Sequence, residues 1–127
     1  MDGTLLNSQH EVSRLFFQQF KELQNRNIDF VAASGRQYHS MVSKLHEIKD
    51  DIIFISENGA LVKKGHQELS VTTLEPSLVH ELLQLVATID GAYAMLCGKY
   101  TSYFDGKSKA FLEQLKEYYS HYEVVED

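Results

Sequence analysis

An α/β fold built on a parallel sheet is what this sequence predicts, and three observations predict it. Two runs, Ile28-Asp29-Phe30-Val31-Ala32-Ala33 and Ile52-Ile53-Phe54-Ile55, are short enough for strands and almost wholly apolar, as strands covered on both faces are. Between them Met41, Leu45 and Ile48 recur at helical spacing, so strand, helix and strand follow in the order of a right-handed crossover between parallel strands. Polar residues, Ser34-Gly35-Arg36 and Ser56-Glu57-Asn58, stand just past the end of each run, where open parallel sheets bind their ligands.

Each element has its own signal. Ser8-Gln9-His10-Glu11 reads as a capping box, opening a first helix with Val12, Phe16, Phe20 and Leu23 on one face. Asn25 to Asn27 ends that helix, because asparagine tolerates the left-handed conformation of a helix terminus. The strand 28–33 runs into Ser34-Gly35, a turn expected to open the second helix. After the strand 52–55, Ala60-Leu61-Val62 and Leu69-Ser70-Val71 form a β-hairpin that reverses at Lys64-Gly65.

Around Pro76 the pattern changes, which divides the chain into 1–75 and 76–127. Leu78, Leu82, Leu85 and Ile89 mark one face of a third helix, Ala92 to Cys97 a strand, and Tyr100 to Phe104 its antiparallel neighbour. Asp105-Gly106 is a turn; Phe111, Leu112, Leu115 and Tyr119 line a fourth helix; a further strand starts near Glu123.

Composition narrows the function. With 43% apolar residues, 24% charged and one proline among 127, the chain is expected to fold. A net charge of −6 with scattered basic residues argues against nucleic acid, whose binders cluster lysine and arginine on phosphates. No apolar run is long enough for a membrane span, and no basic-then-apolar leader opens the sequence. Cys97 is the only cysteine, so no intrachain disulfide can form, and a soluble, reducing, cytoplasmic setting is expected. In Ala94-Met95-Leu96-Cys97 it reads as a small buried hydrophobe.

The chemistry sits in three strings. Asp2-Gly3-Thr4-Leu5-Leu6 sets a carboxylate before a glycine and a hydroxyl, and Ala33-Ser34-Gly35-Arg36 sets a hydroxyl, a glycine and a cation at the exit of a strand. Both are loop-like ends with free backbone N–H groups, so both can hold an oxyanion. With Ser56-Glu57-Asn58-Gly59-Ala60 as the third, these strings, in this order, closely resemble the haloacid dehalogenase superfamily, in particular its Cof-type sugar phosphatase branch. Taken singly they are weak, since Asp-Gly-Thr is commonly a turn, Ser34-Gly35 a helix cap and Asn58-Gly59 a turn before a hairpin.

The resemblance implies a partial Rossmann-like core over 1–75 and the start of an α/β cap domain over 76–127. It implies hydrolysis of small phosphorylated metabolites, sugar phosphates among them, through an aspartyl-phosphate with Mg2+ as cofactor. Asp2 would be the general acid and base and would give magnesium its backbone carbonyl. Gly3, Ser34 and Gly35 would bind the phosphate, and Arg36 and Asn58 would shape the substrate pocket. In the family's first motif the nucleophile stands immediately ahead of the position matched by Met1. A lysine and an acidic magnesium motif lie beyond the stretch matched here. The chain is therefore expected to be a truncated, amino-terminal piece, inactive alone. The alternative reading is a non-catalytic phosphate-binding or interaction module. In either case one edge of the strand 28–33 is expected to lie unpaired, inviting self-association or a complementary fragment.

Overall fold

The computed structural model describes every residue except 2, 120, 126 and 127, and the backbone alone at 117 and 118. The chain divides into two compact units, Met1–Thr72 and Thr73–Asp127. Among the described residues no helix is long and apolar enough to cross a membrane.

In the first unit, helix α1 (Arg14–Asn25) precedes strand β1 (Val31–Ala33), helix α2 (Tyr38–Lys44) and strand β2 (Ile53–Ser56). The hairpin β3 (Leu61–Lys64) and β4 (Gln67–Val71) completes a four-stranded sheet in the order β1-β2-β3-β4. The β1–β2 pair is parallel, with Ala32 opposite Phe54, and the other two pairs are antiparallel. The expected strand–helix–strand crossover is therefore present. Its core gathers Phe20, Ala32, Met41, Leu45, Ile48, Ile52 and Phe54, with Met1, Leu5, Val12 and Phe16 packed against it.

The end of α1 follows from its sequence. Asn27 adopts a left-handed φ of 55°, the Ile28 N–H donates to the Leu23 carbonyl at 2.9 Å, and the Asn27 N–H donates to that of Gln24 at 2.9 Å. This paired closure satisfies two carbonyls that would otherwise be orphaned at the helix terminus.

The start of α1 corrects the sequence reading. Ser8 to Glu11 is not a capping box: the Asn7 side-chain oxygen accepts the N–H groups of Gln9 and Glu11, each at 2.9 Å, and folds the segment into a tight loop. A Leu6–Val12 bridge closes that loop, and the cap moves to Ser13, whose hydroxyl accepts the Leu15 N–H at 3.2 Å. A local asparagine hydrogen bond has outcompeted the helix.

Two further differences concern the crossover. β1 is three residues long and only Ala32 in it is buried: Val31 and Ala33 point to the opposite face of the sheet, which is exposed there. Helix α2 begins at Tyr38, three residues after the Gly35 expected to open it, and Ile48 lies in a separate 3-10 turn, His46–Ile48.

The second unit pairs helix α3 (Pro76–Ala87) and helix α4 (Lys109–Tyr118) with strands β5 (Met95–Cys97), β6 (Ser102–Phe104) and β7 (Tyr122–Val124). β5 and β6 are antiparallel, and β6, α4 and β7 make a second parallel crossover. Phe104 and Leu115 are buried, with the Phe111 ring edge-on to Phe104 at 5.2 Å.

In α3 the half-buried apolar residues are Val79, Leu83 and Val86, whereas the expected face, Leu78, Leu82, Leu85 and Ile89, is 42 to 58% exposed. Both stripes have helical spacing, so periodicity could not choose between them. Cys97, expected to be buried, is exposed at the end of β5.

Candidate functional site

The carboxyl ends of β1 and β2 are tied into one corner. The Ser34 N–H continues the parallel ladder to the Ile55 carbonyl at 2.9 Å, after which the two chains exchange loop hydrogen bonds. The Glu57 N–H donates to the Arg36 carbonyl at 3.1 Å and the Asn58 N–H to the Ser34 carbonyl at 3.2 Å. Below them Ser56 is fully buried, its hydroxyl donating to the Leu61 carbonyl at 3.0 Å, which anchors the start of the second loop to β3.

Ser34 is not a helix cap. Its Oγ accepts the Arg36 N–H at 3.2 Å, which leaves its own proton to be donated, and the residue is half-buried. The Gly35 N–H, exposed beside it, donates to no partner among the described residues. Arg36 directs one guanidinium nitrogen to Ser40 Oγ at 3.3 Å, and Ser40 is buried in α2. The cation is thus held from the helix behind the loop, a support that no sequence motif marked.

Asn58 lies over Gly35. A Cβ on Gly35 would stand 2.9 Å from Asn58 Oδ1, closer than such atoms approach, so glycine here serves the proximity of a side chain from the neighbouring strand end. Gly35→Ala is therefore expected to cost about 1 kcal/mol. Combining it with Asn58→Ala should recover most of that loss, which a double-mutant cycle by thermal denaturation would measure.

The corner is also strained. Glu57 and Asn58 both have positive φ, 52° and 54°. Asparagine tolerates this region, but glutamate does so at a cost of about 1–2 kcal/mol. The backbone ties to Ser34 and Arg36 hold the strain in place. Burial pushes the Glu57 carboxyl above its ordinary pKa.

Of the expected site residues, the structure brings Ser34, Gly35, Arg36 and Asn58 together. Gly3 sits in an exposed turn with φ 68°, where the N–H groups of Thr4, Leu5 and Leu6 converge on the Met1 carbonyl at 2.9 to 3.3 Å. Met1 and Leu5 pack on the same core as β1, yet among the described residues no hydrogen bond joins Gly3 to the Ser34 loop. Asp2, the expected acid, base and magnesium ligand, lies outside the described residues. Among the described residues no three His, Cys, Asp or Glu side chains are placed to hold a metal ion.

The sequence profile of the haloacid dehalogenase-like hydrolases matches residues 1–127. The 5-amino-6-(5-phospho-D-ribitylamino)uracil phosphatase YbjI of Escherichia coli is 30% identical over 122 residues, which cover 95% of this chain and 45% of that protein. The crystal structure of SMU.1108c from Streptococcus mutans superposes with a TM-score of 0.91 at 27% identity, covering all of this chain and 49% of that one. The sugar phosphatase BT4131 shares the fold at a TM-score of 0.79 and 15% identity, over 99% of this chain and 50% of its own. The chain thus spans about half the length of the proteins it resembles.

Proposed function

Because the chain belongs to the haloacid dehalogenase-like hydrolases, we propose that its first unit forms part of a phosphatase site for small phosphorylated metabolites, sugar phosphates in particular. One observation carries this reading: two strand ends, hydrogen-bonded loop to loop, bring together a hydroxyl, an N–H without a partner among the described residues, a cation and an amide. In that corner Ser34 donates its hydroxyl proton and Gly35 its N–H to the phosphoryl oxygens, and Arg36 balances their charge. Asn58 borders the space taken by the esterified alcohol.

The catalytic part of the reading rests on the resemblance. Asp2 would protonate the leaving alcohol and later activate water in an aspartyl-phosphate pathway. The magnesium ion is proposed on the same ground. Its expected ligand, Asp2, falls outside the described residues, and the described ones assemble no metal cluster. Residues 1–75 as a piece of the core and 76–127 as the opening of a cap belong to the proposal too. So does a cytoplasmic setting, which suits a sequence with one cysteine, and a metabolite rather than a nucleic acid as ligand, which suits a net charge of −6.

The test is binding. Titrated with inorganic phosphate, the chain is expected to show amide NMR shifts that centre on Ser34, Gly35 and Asn58. Arg36→Ala should weaken the affinity by about 10- to 100-fold, as loss of a charge-assisted hydrogen bond does. Shifts centred elsewhere, or an affinity indifferent to Arg36, would refute the reading.

A further inference from the structure

Glu57 stands out in the corner just described. Its neighbours there, Ser34, Gly35, Arg36 and Asn58, all suit an anion, whereas Glu57 brings a carboxylate. The carboxylate is half-buried, and among the described residues it makes no hydrogen bond or ion pair. Its backbone has φ 52°, in a region that glutamate seldom adopts and that glycine or asparagine would enter without strain. The turn alone therefore gives no reason for a glutamate. Two hydrogen bonds nevertheless fix the residue, its N–H donating to the Arg36 carbonyl and its own carbonyl accepting the Ala60 N–H, each at 3.1 Å. Strain held by surrounding bonds at a ligand corner is the mark of a residue kept for recognition.

A carboxylate has acceptors and no donors, so a phosphate dianion beside it offers nothing to bind. The partners it can satisfy are hydroxyl or amino groups on the remainder of the ligand. The hydroxyl-bearing portion of a polyol or sugar monophosphate supplies such donors next to the ester oxygen.

We propose that Glu57 is a specificity-determining residue that accepts hydrogen bonds from the hydroxyl groups of the esterified polyol, while Ser34, Gly35 and Arg36 hold the phosphoryl group. The proposal rests on the phosphate-binding reading of the same corner, and deepens it. It makes the site selective for hydroxyl-rich monophosphates over simple alkyl ones. It also separates two jobs along the chain: the loop after β1 binds what all substrates share, and the loop after β2 reads what distinguishes them.

The whole chain, titrated in turn with inorganic phosphate, methyl phosphate and ribitol 5-phosphate and followed by amide NMR, tests this. The wild type is expected to bind ribitol 5-phosphate about 10-fold more tightly than methyl phosphate. Glu57→Gln should bring the two within about 2-fold by weakening the polyol ester alone. Glu57→Gly should lose the same preference without loss of thermal stability, because it removes the carboxylate and the strained conformation together.

A preference that survives Glu57→Gln, or is missing from the wild type, overturns the proposal while phosphate binding stands. Equal weakening of both esters makes Glu57 a support of the loop, and overturns it as well. If no phosphate compound perturbs Ser34 and Gly35, the phosphate site itself is refuted, and this role for Glu57 falls with it.

Discussion

Phe54→Ala is expected to lower the melting temperature of the first unit by on the order of 20 °C, the largest stability effect predicted for this chain. Phe54 has no exposed surface and stands in the second of four strands, opposite Ala32 on one side and Lys63 on the other. Its ring meets Tyr38 edge-on at 5.4 Å and belongs to the cluster of Phe20, Met41, Leu45 and Ile52. Truncation removes the transfer free energy of the ring and leaves a cavity. Because β2 is bonded to strands on both sides, the sheet cannot close over the gap. Such losses run to about 3–5 kcal/mol. A unit this small commands only a modest multiple of that, so the variant should be partly unfolded near physiological temperature. Thermal unfolding followed at Tyr38 would measure the change. A drop of only a few degrees would show that Phe54 is not the keystone of the core.

The strand that carries Phe54 and the end of α1 were legible because their signals are local. Ile52 to Ile55 is an unbroken apolar run, and Asn27 at the end of α1 advertises its own left-handed conformation. What escaped were competitions and long-range proximities. Ser8 and Ser13 both precede the helix and both can cap, and the choice fell to Asn7, whose side chain claims the intervening N–H groups. In α3 two apolar stripes share one period, so which of them the unit covers depends on tertiary packing that periodicity does not encode.

The site divides in the same way. Ser34, Gly35, Arg36 and Asn58 could be singled out from their place at strand ends. The approach of Asn58 to within 2.9 Å of a Cβ on Gly35 joins residues far apart in the chain, and no pattern in either segment announces it. Nor does a glutamate advertise a positive φ. Glu57 becomes conspicuous only once the loop ties are known.

If the chain self-associates through the edge of β1, Val31→Pro is expected to weaken that association while leaving the fold intact. β1 is the first strand of its sheet and pairs only with β2 among the described residues. The Phe30 carbonyl accepts from Ile53 and the Ser34 N–H donates to Ile55, so both face β2. Parallel ladders alternate, and the N–H and C=O groups of Val31 and Ala33 therefore point to the open edge. Exposed Ile28 and Val31 flank that edge, with 49% and 41% of their surface in water. Two copies related by a two-fold axis would bring β1 against β1 in antiparallel fashion, Val31 opposite Ala33, so that both residues of each copy bond across the interface. We propose that pairing as the chain's mode of self-association. Proline at 31 removes an outward N–H from each copy and crowds the approach, yet breaks no bond to β2, since edge strands accept proline where the N–H faces solvent. The association constant should fall by about 10- to 100-fold. Val31→Thr, which keeps the N–H, should behave as wild type. Sedimentation equilibrium at high protein concentration decides the matter: a monomeric wild type, or a Val31→Pro variant that still dimerises, would refute the pairing.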